Sequence, residues 1–412
     1  MARTRTTITT TRRATGRLAG ALAGLLALGA TALPAAAQAA PAGAPTVGVI
    51  ANAGARDVVP GSYLVTLEDS VGISASAAGP ALAARYGGEV THTYTAALNG
   101  FAAELTEAEA RRLAADPAVA SVVHDQYVRA AGTQPNPPSW GLDRIDQTDL
   151  PLDRSYTWPD PGGRGVNVYV IDTGVRTSHG DFGGRARSGW DFVGNDPVAE
   201  DGNGHGTHVA GIVGGIAHGV AKNANIIGVR VLNASGSGTI AQVVAGVDWV
   251  TANHVRPAVA NMSLGGAANT TLDAAVTNAI AAGVTFTVAA GNSASNAASF
   301  SPARVTAAVT VGASTAGDAV STASNYGSVL DLYAPGASIT STWGTGDTAT
   351  ATLSGTSMAA AHAAGAAALY LDDHGTATPA QVELALEAAA VPNTLTGVPP
   401  GTPNLLLNVR GL

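Results

Sequence analysis

The sequence predicts an α/β fold, a doubly wound and mainly parallel sheet flanked by helices, with a small α+β module ahead of it. Three observations carry that prediction. From Trp140 onward the chain repeats strand, loop and helix. Its strand runs are short, continuous and apolar, as in parallel sheets covered on both faces. Of the 412 residues 46% are hydrophobic, enough for a large core, while 51 glycines supply tight loops.

Taken in order, residues 62–67 make a first strand pattern, 81–86 a short helix, and 89–94 and 100–105 two more strands. Thr106 and Glu109 form a capping box: the hydroxyl accepts from an early helix N–H and the carboxylate reaches back. The helix it opens, 107–115, turns Ala110, Leu113 and Ala114 to one side. Residues 119–123 return as a strand. The stretch 129–139, RAAGTQPNPPS, reads as an extended linker because its three prolines resist helix. In the larger body, strands are expected at 166–171, 226–232, 258–262, 284–290 and 308–311. Helices are expected between them at 209–216, 240–251 and 272–282, with an alanine-rich helix running from Ser357 to Leu371. Thr378 caps a last helix, with Pro379 in its first position and Gln381 as reciprocal partner. Ligands in such sheets bind beyond the carboxyl ends of the strands.

Residues 1–39 stand apart. They hold five arginines and no acidic residue. An apolar stretch at 18–33 leads to the small-residue site Ala37-Gln38-Ala39, the pattern of a cleaved export signal. That stretch is short for a membrane span and no comparable run follows, so a secreted, extracellular product without stable membrane association is expected. The whole chain carries 21 basic and 29 acidic residues, a net of −8, and without the signal arginines 16 basic residues face the same 29 acids. An acidic body has nothing to neutralise phosphates, which excludes a nucleic-acid partner. The absence of cysteine excludes disulfides, thiolate metal sites and a cysteine nucleophile.

Three Gly-rich loops carry chemistry. Asp172 follows the 166–171 strand and precedes Thr173-Gly174. His205 lies in Gly204-His205-Gly206-Thr207-His208 at the start of a small-residue helix. Ser357 lies in Gly355-Thr356-Ser357-Met358 at the start of the alanine-rich helix, where unpaired N–H groups favour developing negative charge. Each has a plain structural alternative: a turn aspartate, an N-cap serine, or, for His205 with His208 and His218, an imidazole zinc site. Together they form a set. A hydroxyl attacks only when a base takes its proton, and the base works best when a carboxylate fixes its tautomer. The order Asp…His…Ser, with no GxSxG elbow around the serine, differs from that of the α/β-hydrolases.

These three segments resemble the subtilisin-like serine endopeptidases (peptidase S8), and most closely the proteinase K-like bacterial branch. The resemblance extends over 140–412, and the module at about 60–127 resembles the inhibitor I9-type propeptide, of ferredoxin-like α+β fold. It implies a signal peptide at 1–39, a propeptide at 40–132 and a catalytic domain at 133–412. It implies Asp172 as orienter, His205 as base and acid, and Ser357 as nucleophile. Asn292, in Val288-Ala289-Ala290-Gly291-Asn292, is implied as an oxyanion donor beside the Ser357 N–H. Substrate edges are implied at Ser235, Gly236, Ser237, Gly238 and at Ser263, Leu264, Gly265, Gly266. A roomy uncharged pocket is implied at Ala289, Ala290, Gly291, which favours apolar or aromatic side chains within a broad specificity. The implied partners are protein or peptide substrates and the chain's own propeptide, as chaperone and inhibitor removed by self-cleavage. A monomer is expected.

Two departures stand in the serine helix: Ala361 and Ala363 replace the family's usual proline and valine. The resemblance further implies structural calcium and no catalytic cofactor. One calcium loop is Asp143, Asp146, Gln147, Asp153, Ser155; a second site is Asp331 with the carbonyls of Thr306 and Ala308; a third is Asp191 with Asp196. Oxygen ligands clustered in loops suit a hard cation.

Overall fold

The computed structural model describes residues 47–54, 58–69, 74–127 and 131–412, in two compact units divided at Tyr127 and Val128. The export signal at 1–39 lies outside the described residues.

In the first unit the order is β1 (Val58–Leu67), α1 (Ala75–Arg85), β2 (Glu89–Tyr94), β3 (Gly100–Glu104), α2 (Glu107–Leu113) and β4 (Val119–Gln126). The strands form one antiparallel sheet in the order β2-β3-β1-β4. Tyr63, Val65, Leu67, Leu82, Phe101, Leu113 and Val122 fill its core. Helix α2 starts on the predicted capping box, Thr106 accepting from Glu109 N–H and Glu109 from Thr106 N–H. Helix α1 begins six residues before the expected 81, running through Gly79 and Pro80. The missing Cβ at Gly79 lets the helix pack on the buried Phe101 ring, 3.2 Å from where that Cβ would sit. Packing has outweighed two poor helix formers.

The second unit opens with β5 (Ala131–Pro135), α3 (Trp140–Ile145), β6 (Ser155–Pro159), β7 (Asn167–Asp172), β8 (Ala186–Asp191), α4 (His205–Gly214), β9 (Asn225–Arg230), α5 (Ile240–Asn253), β10 (Ala258–Met262) and β11 (Gly266–Ala267). It continues through α6 (Thr270–Ala281), β12 (Thr285–Ala289), β13 (Phe300–Ser301), β14 (Val309–Ser314), β15 (Leu332–Pro335), β16 (Ile339–Thr342) and β17 (Thr350–Leu353). It closes on α7 (Thr356–Asp373), α8 (Pro379–Ala389), β18 (Val391–Pro392) and β19 (Leu405–Leu406). The main sheet runs β18-β19-β15-β14-β12-β10-β7-β9-β8, parallel except for β18 against β19. The expected doubly wound α/β sheet is what forms. Helices α4 and α7 bury Val209, Val213 and the alanines of α7 on one face, while α5 and α6 bury Val247, Val250 and Val276 on the other.

The strand order reverses at β7. The chain lays β8 and β9 on one side of it, then crosses to β10 on the other. Such a switch point opens a crevice at the carboxyl edge of the sheet, and Asp172 is the last residue of β7. Where a linker was expected, β5 is a strand paired with β6, Gly132 opposite Trp158. Its side-chain pattern carries no strand signal, because only the partner strand supplies the backbone bonds. Helix α4 starts at His205, as expected of its small-residue segment and four residues ahead of the apolar run at 209; Gly206 in its first turn packs against backbone, where a Cβ would lie 2.1 Å from the Gly174 carbonyl oxygen. Helix α7 keeps its full length with Ala361 and Ala363 fully buried, so loss of the proline and valine leaves it continuous.

Candidate active site

Strand β7 presents Asp172, fully buried, to the first turn of α4. Its Oδ1 lies 2.8 Å from His205 Nδ1 and also accepts from the Thr173 N–H at 2.7 Å. The imidazole itself is 25% exposed, so one edge is held and the other is open. Burial alone would lower its pKa, but the charge and hydrogen bond of Asp172, with Asp201 behind, leave it above 6.5. Asp201 ties the two segments together: it accepts from Thr173 Oγ1 and Gly204 N–H at 2.8 Å each, and from Thr207 N–H at 2.9 Å.

Ser357 is the second residue of α7, whose first N–H groups have no partner within the helix. Its hydroxyl donates to the Ser263 carbonyl at 3.2 Å, and among the described residues no hydrogen bond joins it to His205. Its own carbonyl accepts from Ser263 Oγ at 2.8 Å, which accepts from Asn261 Nδ2. Asn292 follows the end of β12. Its Oδ1 accepts from the Thr356 N–H at 2.8 Å, a bond only the oxygen can make. The amide orientation is thereby settled, and Nδ2, beside the serine helix, has no hydrogen-bond partner among the described residues.

Two depressions meet here. A cleft of about 580 Å³ is lined by His205, Leu232, Ser235, Gly236, Ser237 and Gly238 on one side and by Ser263, Leu264, Gly265 and Gly266 on the other. A pocket of about 250 Å³ adjoins it, shares Ser263 to Gly266, and is lined further by Ala289, Ala290, Gly291, Asn292, Phe300, Ala303 and Ser357. No charged side chain lines that pocket. The predicted catalytic, oxyanion and groove residues thus converge. Thr356, from the Gly355 to Ser357 segment, lines the same surface, as does Phe300, which falls in no Gly-rich segment.

The zinc alternative fails on geometry. His208 Nε2 lies 3.2 Å from the Ile339 carbonyl and 3.1 Å from that of Ala351, and His218 Nδ1 lies 2.9 Å from Asp181 Oδ2. The three imidazoles therefore face separate partners, and among the described residues they form no metal-holding cluster.

The proposed calcium ligands fare unequally. In the first loop Asp143 Oδ1 and Gln147 Oε1 both accept from the Asp153 N–H, and Asp153 Oδ1 accepts from Ser155 N–H. Asp146 Oδ1 is buried with no partner among the described residues, and its carboxyl is pushed up to about 6 by burial and then by the charges of Asp153 and Asp143. An orphaned buried oxygen among like charges is a donor set that fits a cation. Asp331 is pushed up to about 8, by burial and then by Glu383 and Glu387, whose carboxylate oxygens lie within 4.8 Å of its own. That excess of negative charge also fits a cation; Thr306 is exposed and Ala308 buried just before β14. Asp191 fits poorly. Its Oδ2 is taken by Arg230 at 2.8 Å and its Oδ1 by the N–H groups of Val193 and Gly194, so beside Asp196 little uncompensated charge remains.

Comparison with known proteins agrees with this geometry. Residues 163–406 match the model of the Subtilase family (peptidase S8), and 63–131 that of peptidase inhibitor I9. The chain is 50% identical over 321 residues to an extracellular serine proteinase of Thermus sp. (strain Rt41A), covering 78% of each. It is 48% identical over 311 residues to alkaline serine exoprotease A of Vibrio alginolyticus, covering 74% of this chain and 58% of that one. Among solved structures it resembles a cold adapted subtilisin-like serine proteinase at 55% identity and a TM-score of 0.64, over 66% of this chain and 97% of that one. The chain therefore belongs to the subtilase family, as a serine endopeptidase with an N-terminal I9-type module.

Proposed function

We propose that this secreted, extracellular serine endopeptidase cleaves peptide bonds through an acyl-enzyme, with Ser357 as nucleophile, His205 as general base and then acid, and Asp172 as the carboxylate that holds the imidazole. The single observation that carries the assignment is the 2.8 Å contact between His205 Nδ1 and Asp172 Oδ1 at the mouth of the cleft. With Nδ1 committed as donor, Nε2 is left as the lone-pair acceptor for the serine proton. Ser357 must first release the Ser263 carbonyl. Its oxygen then bonds to the scissile carbonyl carbon, and the proton passes to His205. The oxyanion is held by Asn292 Nδ2 and the Ser357 N–H. His205 gives the proton to the leaving amine as the C–N bond breaks; a water deprotonated by His205 then adds to the acyl carbon, and His205 returns that proton to the Ser357 oxygen as the ester bond breaks and the acid product leaves.

The exposed Gly-rich edges, Ser235 to Gly238 and Leu264 to Gly266, offer backbone groups to an extended peptide as added strands would. The uncharged pocket beside Ser357 supports broad specificity with an apolar or aromatic residue before the scissile bond. The first unit, with its βαββαβ order, supports a ferredoxin-like propeptide spanning 40–132 that assists folding, inhibits, and is then removed by the enzyme itself near Gly132. The mature enzyme, 133–412, acts as a monomer. Intact-mass and N-terminal analysis of the secreted product, with mapping of its cuts in an unfolded protein, tests these points together. Wild type should lose about 132 residues and cut mainly after Phe, Tyr, Leu and Ala, whereas Ser357→Ala should retain the first unit. Cuts clustered after charged residues would sink the pocket reading.

Calcium is proposed at the Asp143, Asp146, Gln147, Asp153, Ser155 loop and at Asp331, where it would neutralise the crowded carboxylates and take no part in the chemical step. An ion held only by the folded form stabilises it by mass action. Chelation should therefore lower the melting temperature by about 5–10 °C, with kcat at 25 °C unchanged. An unchanged melting curve would remove calcium from the account.

A further inference from the structure

We infer that Asn325 is a positioning residue that holds the oxyanion-donor loop in register with the serine helix. The inference rests on the assignment of Asn292 as oxyanion donor and extends it to a residue outside the cleft. Asn325 is fully buried between β14 and β15 and lines neither the cleft nor the adjoining pocket. It nevertheless bonds to four of the residues that surround Asn292. Its Nδ2 donates to the Ala290 carbonyl at 2.8 Å, and its backbone N–H donates to the Gly291 carbonyl at 2.8 Å. Its Oδ1 accepts from the N–H groups of Ser293 and Ser295, each at 3.0 Å. One side chain thus satisfies the backbone on both sides of the donor.

The fit is tight as well as polar. Gly291 has φ +102, and a Cβ there would lie 2.4 Å from Asn325 Nδ2, so the loop rests directly on the amide. Asn325 is itself tied to the sheet: its carbonyl accepts from Ser324 Oγ at 3.0 Å, and that hydroxyl accepts from the Ala313 N–H of β14 at 3.0 Å. A rigid strand therefore sets the height of the loop, while the Thr356 N–H sets the angle of the Asn292 amide. No other side chain of comparable size offers one donor and two acceptor positions with this spacing, because an aspartate would set a carboxylate against the Ala290 carbonyl. A donor displaced by about 1 Å loses much of its hold on the transition state and little of its hold on the ground state.

The test is a double-mutant cycle on the secreted full chain, assayed on a chromogenic peptide anilide with melting curves recorded for each variant. Asn292→Ala should lower kcat by about 100- to 1,000-fold, the size known for the corresponding donor in subtilisin itself. Asn325→Ala should lower kcat by about 10- to 100-fold while KM moves less than about threefold. In the double variant kcat should fall no further than in Asn292→Ala, because both changes remove the same interaction. Asn325→Ser, which keeps one hydroxyl at the position, carries the same cycle where the alanine variant is not recovered folded. Multiplying losses, or an unchanged kcat in a folded Asn325 variant, would overturn the inference while leaving Asn292 as donor. An unchanged kcat in Asn292→Ala would remove the donor assignment and the inference with it.

Discussion

Replacing Ser357 by alanine is expected to lower kcat by about 10⁶-fold, the size known for the same change in subtilisin, with KM little altered. The loss is large because no other hydroxyl stands in its place. Thr356 precedes it, but its Oγ1 accepts from the Gly291 N–H at 3.0 Å and lies 3.2 Å from Asn292 Oδ1, so it faces the loop. The fold should survive, since among the described residues the Ser357 side chain bonds only to Ser263. A fluorophosphonate should label wild type and not the variant. Equal labelling of both would place the nucleophile elsewhere. His205→Ala should cost about as much, and the pair together no more than either alone, because base and nucleophile act in one step.

Asp172→Asn should lower kcat by about 10⁴-fold, the loss known for this change in a serine-protease triad. Two effects combine. A neutral amide no longer stabilises the imidazolium that forms when His205 takes the serine proton. Removing the carboxylate also leaves burial as the main influence on the imidazole. In wild type its pKa sits above 6.5, so the acid limb of the kcat/KM profile should lie on the alkaline side of that value, activity rising as His205 loses its proton. In the variant the limb should move to lower pH. A profile that stays in place, or a kcat within about tenfold of wild type, would strip Asp172 of its role.

Much of the candidate site was legible because its residues announce themselves locally. Asp172, His205, Ser357 and Asn292 each sit in a Gly-rich segment at the end of a strand or the start of a helix. The capping boxes at Thr106 and Thr378 form as read. The same pattern at Thr239 and Gln242 caps α5. Other features left no local mark. Strand β8, ARSGWD, is polar because it lies at the edge of the main sheet, beside β9. The hairpin of β16 and β17 is held by contacts remote in sequence, Ser341 Oγ donating to the His208 carbonyl and Thr342 Oγ1 to that of Thr207. Asn325, followed by Tyr326 and Gly327, reads as a turn asparagine.

From its sequence alone this chain was determined to be a doubly wound α/β protein whose chemistry is that of a Ser, His and Asp set, since residue type, turn glycines and apolar period are local properties. Which histidine joins the carboxylate, which way the Asn292 amide points, whether the zinc alternative closes and which buried asparagine carries the loop were decided only by the tertiary structure. Each depends on hydrogen-bond geometry between segments dozens to more than a hundred residues apart. A pattern along the chain carries no direction for a bond across it.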